Sequence, residues 1–144
     1  MISFVFSFKN EEKNLEELVK RVDQTVKKIS NYNYELIFVN DNSNDDSEKI
    51  LETLQKNYPI TIINMSRTFG VGPCVLAGFQ NVNGDCVIYM DSDLQDPPEI
   101  IEKLIKEYED GAEVVHTIRT NRLGEPRLKL FITKIAYRTI NFLS

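Results

Sequence analysis

The sequence predicts an α/β fold with a mostly parallel, Rossmann-like sheet carrying helices on both faces. Three observations predict it. Short apolar, β-branched runs alternate along the chain with segments of helical periodicity. The runs are near-continuously apolar, as in strands buried on both faces, rather than alternating apolar and polar. Each run is followed by a polar, charged cluster, and in open α/β sheets ligands bind beyond the carboxyl ends of the strands.

The elements follow in order. The run ISFVFSF, Ile2 to Phe8, is a buried strand. Leu15, Leu18, Val19, Val22, Val26 and Ile29 then recur at helical spacing, with Asn14 placed to cap the helix. YELIFVN, Tyr34 to Asn40, is the second strand, and SEKILETLQKNY is an amphipathic helix with Ile50, Leu51 and Leu54 on one face. ITIINM, Ile60 to Met65, is the third strand. The glycine-bearing loop SRTFGVGP leads into a short helix through CVLAGFQNV, and CVIYM is the fourth strand. PPEIIEKLIKEYEDG is a helix with proline in its first turn and Gly111 just past its end. EVVHTI, Glu113 to Ile118, is expected as a fifth strand, and RLKLFITKIAYRTINFL as a basic amphipathic helix. The pattern of elements does not give the order of the strands.

The 144 residues suit one domain with a real core. The net charge of −5 is uneven: residues 119–144 hold six basic residues against the single acid Glu125. A basic tail on an acidic body suits an anionic partner, a phosphate or a membrane surface. The overall negative charge, with basic residues at one end and no aromatic interleaving, argues against nucleic acid. Cys74 and Cys86 have no metal-like spacing and are expected as reduced, buried thiols. The opening residues lack the basic start and apolar length of a secretory leader, and no run approaches the ~20 apolar residues of a membrane span. The expectation is a cytoplasmic chain, at the inner face of a membrane if the tail engages it.

The expected strand ends carry KNEE (Lys9 to Glu12), NDNSNDDS (Asn40 to Ser47), SRTFG (Ser66 to Gly70), DSDLQD (Asp91 to Asp96) and RTNR (Arg119 to Arg122). Carboxylates at three of these ends, with Arg67 and Arg119 at two others, suit an anion plus a metal. If strand geometry persists, Asp91 and Asp93 face the same way, and hard carboxylate oxygens suit Mg²⁺ or Mn²⁺. The other reading is a polar turn whose aspartates cap the following helix. NDNSNDDS is equally a turn and helix cap, although Asp41 sits where a base or ribose rests in doubly wound sheets. Arg67 suits a phosphate or plain solvent, and His116, the single histidine, suits packing in a strand. No phosphate-binding loop and no dinucleotide fingerprint follow the first strand. A phospho-receiver domain shares the length and alternation. It would need paired acids after strand one, an acceptor aspartate after strand three and a lysine after strand five; Lys9-Asn10, Ser66-Arg67 and Arg119 stand there instead.

Four blocks, FKNEEKNL, FVNDNSNDDS, MSRTFGVGPCVLAGF and YMDSDLQDPPE, with a weaker fifth, IRTNRLGEPRLKLFITKIAYRTIN, resemble family 2 glycosyltransferases of the GT-A fold. Within them the chain is most similar to polyprenyl-phosphate (dolichyl- or undecaprenyl-phosphate) sugar synthases. The resemblance implies transfer of a sugar from a nucleoside-diphosphate sugar, a UDP-sugar favoured, to an acceptor such as a polyprenyl phosphate, with inversion and a divalent cation. It implies Asp91, Asp93 and Gln95 as metal ligands and Asp93 and Arg119 as the catalytic pair. Arg119 and Arg127 would take the acceptor phosphate. The nucleotide-sugar would lie on Phe8, Asn10, Glu11, Asp41, Ser66, Arg67, Gly70, Asp91 and Ser92.

The implied partners are that donor, a polyprenyl phosphate or glycan acceptor, a membrane surface met through 127–144, and a second copy of the chain in a homo-oligomer. Relatives continue with acceptor-side and membrane segments, so the chain is expected to be a fragment that binds a nucleotide-sugar with or without transferring it. It also departs from the family pattern. Ser7 stands for a proline, Lys9 for a tyrosine, Asn40 for an aspartate, Thr68 for an asparagine and Leu130 for a basic residue.

Overall fold

The computed structural model describes residues 1–29 and 32–118. Four strands, β1 (Ile2–Phe8), β2 (Tyr34–Asn40), β3 (Ile60–Asn64) and β4 (Cys86–Asp91), form one sheet in the order β3-β2-β1-β4. Every pairing is parallel, with Phe6 opposite Phe38 across β1 and β2 and Ser7 opposite Asp91 across β1 and β4. The chain steps outward from β1 to β2 and β3, then returns to the other side of β1. The strand order therefore reverses between β1 and β4, and the crevice beyond that point is where such sheets take ligands.

Helices α1 (Leu15–Ile29), α2 (Ser47–Leu54), α3 (Val71–Phe79) and α4 (Ile101–Glu109) connect or follow the strands, and a single 3-10 turn, Pro98–Ile100, precedes α4. On one sheet face Phe4, Phe6, Phe8, Leu36, Phe38, Ile88 and Met90 meet Leu15, Leu18, Val22, Leu51, Ile101 and Ile105 from α1, α2 and α4. The Phe6 and Phe38 rings stack with centroids 4.8 Å apart. Each fully buried ring contributes about 1.5–3 kcal/mol of transfer free energy. The other face is thinner. Val5, Ile37 and Val39 pack on Cys74 of α3, with Ala77 beside them, while Leu76 and Phe79 on the same helix are 59% and 45% exposed.

Gly78 explains how α3 lies so close: a Cβ there would fall 2.4 Å from Val5 Cγ1. α4 ends as its glycine predicts. Gly111 has φ +98°, its N–H donates to the Tyr108 carbonyl, and the Ala112 N–H donates to the Glu107 carbonyl at 3.0 Å. These two bonds satisfy carbonyls the helix would leave open.

Two expectations change. Asn14 precedes α1, but its amide donates to Glu11 Oε2 at 2.6 Å. The expected fifth strand is not formed: residues 114–118 have no regular structure, and Val114 and Ile118 are 72% and 84% exposed. An apolar run becomes a strand only where a neighbour accepts and donates its backbone hydrogen bonds. The chain divides into two units after Glu113, and only Val114 to Ile118 of the second are described. The expected helix 127–143, which contains Arg127 and Leu130, and the residue Arg119 lie outside the described residues. Cys74 and Cys86 are both free thiols, the first buried and the second half-buried. Among the described residues no helix is long and apolar enough to cross a membrane.

Candidate functional site

A cavity of about 230 Å³ opens at the carboxyl ends of the strands. β1 and its following loop line it with Ser7, Phe8, Lys9 and Glu11; Asp41 comes from just past β2; α3 contributes Val71 and Cys74; and the end of β4 and the turn after it contribute Asp91, Ser92 and Asp93. It therefore spans the reversal of strand order between β1 and β4.

The acid-rich end of β4 is shaped by a reversal of the backbone. Strand structure stops at Asp91, and Ser92 and Asp93 form a turn, so the extended i, i+2 geometry does not carry Asp93. Both carboxylates nonetheless reach the same cavity. Leu94 adopts φ +60°, a left-handed conformation that costs a non-glycine residue roughly 1–2 kcal/mol. Leu94 packs, partly buried, against the larger core cluster, and the Gln95 N–H donates to Asp93 Oδ1 at 3.0 Å. Ser92 is buried and its hydroxyl donates to the Ser7 carbonyl at 3.0 Å, clamping the turn to β1. Gln95 is exposed and is not among the residues that line the cavity.

Asp91 has a neighbour that sequence reading passed over. The Tyr89 hydroxyl donates to Asp91 Oδ1 at 2.8 Å and lies 3.3 Å from Ser7 Oγ. Burial first, and then the carboxylate beside it, push the Tyr89 phenol up to about 12 despite the Ser7 hydroxyl.

Asp41 is buried, 7% exposed. Its Oδ1 accepts the Phe69 N–H at 2.7 Å and its Oδ2 accepts the Gly70 N–H at 3.0 Å, so it ties down the loop that leads into α3. Burial alone would raise this carboxyl. The two N–H groups, the Cys74 thiol and the charge of Lys9 outweigh burial and hold it below its ordinary range. Burial, then the Asp41 carboxylate, push the Cys74 thiol up to about 11, so it stays protonated as a donor. Gly70 supplies φ +88° at the start of α3. Across the cavity mouth, Lys9 Nζ donates to Thr68 Oγ1 at 2.9 Å; these two positions both depart from the family pattern. Arg67 is exposed, with its guanidinium 4.7 Å above the Phe69 ring, and neither it nor Ser66 lines the cavity.

The loops after β1 and β2 hold each other. The Asn10 N–H donates to Ser43 Oγ and the Asn44 N–H donates back to Asn10 Oδ1. The Glu11 N–H donates to Ser47 Oγ, the Glu12 N–H donates to Asp45 Oδ2, and the Asp46 N–H donates back to Glu12 Oε2. Asn10 and Asn42 take φ 59°, which asparagine tolerates better than most residues. Asn10 is thus occupied in the latch and does not line the cavity, whereas Glu11, steadied by Asn14, does.

The donor set fits a hard divalent cation that keeps some of its waters. Asp91 and Asp93 offer two carboxylates on one cavity. Among the described residues no group of three or more such side chains would enclose an ion alone. Magnesium-type sites are completed by substrate phosphates in this way.

Residues 3–142 match the family model described as Glycosyl transferase family 2. An uncharacterized glycosyltransferase of Synechocystis sp. is 39% identical over 140 residues, covering 96% of this chain and 44% of its own length. The undecaprenyl-phosphate 4-deoxy-4-formamido-L-arabinose transferase of Proteus mirabilis is 41% identical over 124 residues, covering 84% and 37%. The chain thus spans about two fifths of the length of these relatives. Among solved structures, glucosyl-3-phosphoglycerate synthase of Mycobacterium tuberculosis, in complex with Mn²⁺, UDP and glucosyl-3-phosphoglycerate, superposes with a TM-score of 0.59 at 23% identity, covering 75% of this chain and 39% of that one.

Proposed function

The chain belongs to glycosyl transferase family 2 and has the GT-A fold, and from this premise we propose that it forms the donor half of an enzyme moving a sugar from a UDP-sugar to a polyprenyl phosphate. The observation that carries the reading is the convergence of Glu11, Asp41, Asp91 and Asp93, from three separate strand ends, on one cavity at the reversal of strand order. The Proteus mirabilis relative is named for an undecaprenyl-phosphate acceptor and the Mycobacterium tuberculosis structure holds UDP and Mn²⁺, which supports the choice of acceptor, base and metal.

In this reading Asp91 and Asp93 hold Mg²⁺ or Mn²⁺. When bound, the ion supplies positive charge where the departing nucleoside diphosphate gains negative charge. Glu11 and Asp41 face the nucleoside, and the Arg67–Gly70 loop, tied by Asp41, closes beside it. A polyprenyl phosphate is already an anion and needs positioning rather than a general base. Arg119 and Arg127 are the residues proposed for that task. Attack from the face opposite the leaving group gives inversion. Residues 127–144 would meet the membrane surface that carries such a lipid, on its cytoplasmic side.

Calorimetric titration with UDP and GDP, with and without Mn²⁺, tests the reading on this chain and on Asp93→Asn. Metal-dependent binding of UDP, lost in the variant, is expected. A folded chain that binds neither nucleotide would overturn it. Since the chain spans 44% of its Synechocystis relative, a second reading is binding without transfer. It is tested by sugar release to undecaprenyl phosphate, comparing this chain with a full-length relative.

A further inference from the structure

We propose that Tyr89 is a positioning residue for the Asp91 carboxylate, fixing through its hydroxyl which carboxylate oxygen is presented to a divalent cation. The inference rests on the donor-site reading of Asp91 and adds a residue to it.

The geometry follows from strand periodicity. Tyr89 and Asp91 are two apart on β4, so their side chains leave the same face of the strand. That face is the thinner one, where Tyr89 packs against the cluster of Val5, Val39 and Cys74. Packing holds the ring, and the ring holds the hydroxyl 2.8 Å from Asp91 Oδ1. A phenol has one proton, and an ionised carboxylate is a stronger acceptor than a serine hydroxyl. The chain of donors therefore runs from Ser7 Oγ to the phenol oxygen, and from the phenol proton to Oδ1. Among the described residues no hydrogen bond reaches Asp91 Oδ2, which leaves that oxygen for a cation.

Ser7 completes the arrangement. It sits opposite Asp91 in the sheet register, and its carbonyl accepts from Ser92 while its hydroxyl meets Tyr89. The serine that departs from the family's proline is thus the partner the phenol needs. A proline there would supply no hydroxyl.

The test uses Tyr89→Phe, which keeps the ring and removes only the hydroxyl. Mn²⁺ binding in the presence of UDP is read by the loss of the free-ion signal in electron paramagnetic resonance. UDP affinity without metal and the urea midpoint are measured alongside. Removing a group that orients a metal ligand typically weakens metal affinity about 10–100-fold. The expected result is a loss of about tenfold, with metal-free UDP affinity unchanged. In an Asp91→Asn background the same substitution should change Mn²⁺ affinity by less than about twofold, since the carboxylate whose orientation matters is gone. Tyr89→Phe with wild-type Mn²⁺ affinity overturns the inference, as does an equal fall in metal-free UDP affinity, which would mean a general loss of packing. If the unsubstituted chain binds no Mn²⁺ with UDP, the donor-site reading itself fails and this inference fails with it.

Discussion

Asp41 shows how one side chain decides the form of the cavity. Both its oxygens accept loop N–H groups, and bonds to a charged acceptor are worth about 1.5–3 kcal/mol each where buried. Because its folded-state pKa lies below the ordinary 3.8, its contribution is fully present above that value and is lost as pH falls through the folded one. Asp41→Asn should therefore lower stability at pH 7 by about 1–3 kcal/mol. The gap between variant and wild type should narrow below about pH 3.8, read as urea midpoints across pH. The sequence made Asp41, Asp91 and Asp93 visible because each stands at the end of an apolar run. It left Ser7, Val71, Cys74 and Tyr89 without a place at the site. Their place in or beside the cavity depends on which strand neighbours which and how closely α3 approaches, neither of which is a local property. Gln95 and Arg67 were legible as polar residues near the right strand ends. Whether they face the cavity depends on a backbone reversal at Leu94 and on the Phe69 ring, which no spacing announces.

Among the elements, α3 has the narrowest tolerance. Replacing Gly78 by alanine improves helix propensity by about 1 kcal/mol. The new Cβ, however, meets Val5 Cγ1 at 2.4 Å and Val39 Cγ2 at 3.3 Å. Val5 is buried and stiff at its branch point, so it cannot swing aside. Overpacking of this kind costs about 1–3 kcal/mol. The clash should win, lowering the urea midpoint of Gly78→Ala and, by displacing Val71 and Cys74, weakening UDP binding in the same protein. Helical periodicity gave α1 and α4 to within a few residues, and proline and glycine marked the ends of α4. Periodicity failed at residues 113–118, where an apolar run suggested a strand. Such a run records only that pairing would be tolerated, and the structure does not pair it with the described strands.

For the molecule as a whole, parallel pairing was legible in the near-continuously apolar strands, whereas strand order was the long-range fact that the pattern of elements left open. That order matters because it sets β2, β1 and β4 side by side, which makes neighbours of the strand ends carrying Asp41, Glu11 and Asp91. A ligand that binds across those ends couples local occupancy to global stability. UDP with Mn²⁺ at about a hundred times its dissociation constant should stabilise the fold by about 2.7 kcal/mol. A thermal-melt series in which UDP alone, Mn²⁺ alone and both are compared checks this. The upward shift should need both components and should vanish on adding a chelator.

The mutual latch between the loops after β1 and β2 has a thermodynamic consequence. Fixing one residue's backbone costs about 1–2 kcal/mol of conformational entropy. Asn10, Glu11 and Glu12 on one side, and Ser43 to Ser47 on the other, are held by bonds to each other. The ordering of this wall is thus completed by folding, and under the proposed function a nucleotide arriving at Glu11 would meet a surface already set, so that little of its binding free energy would be spent arranging the chain that receives it.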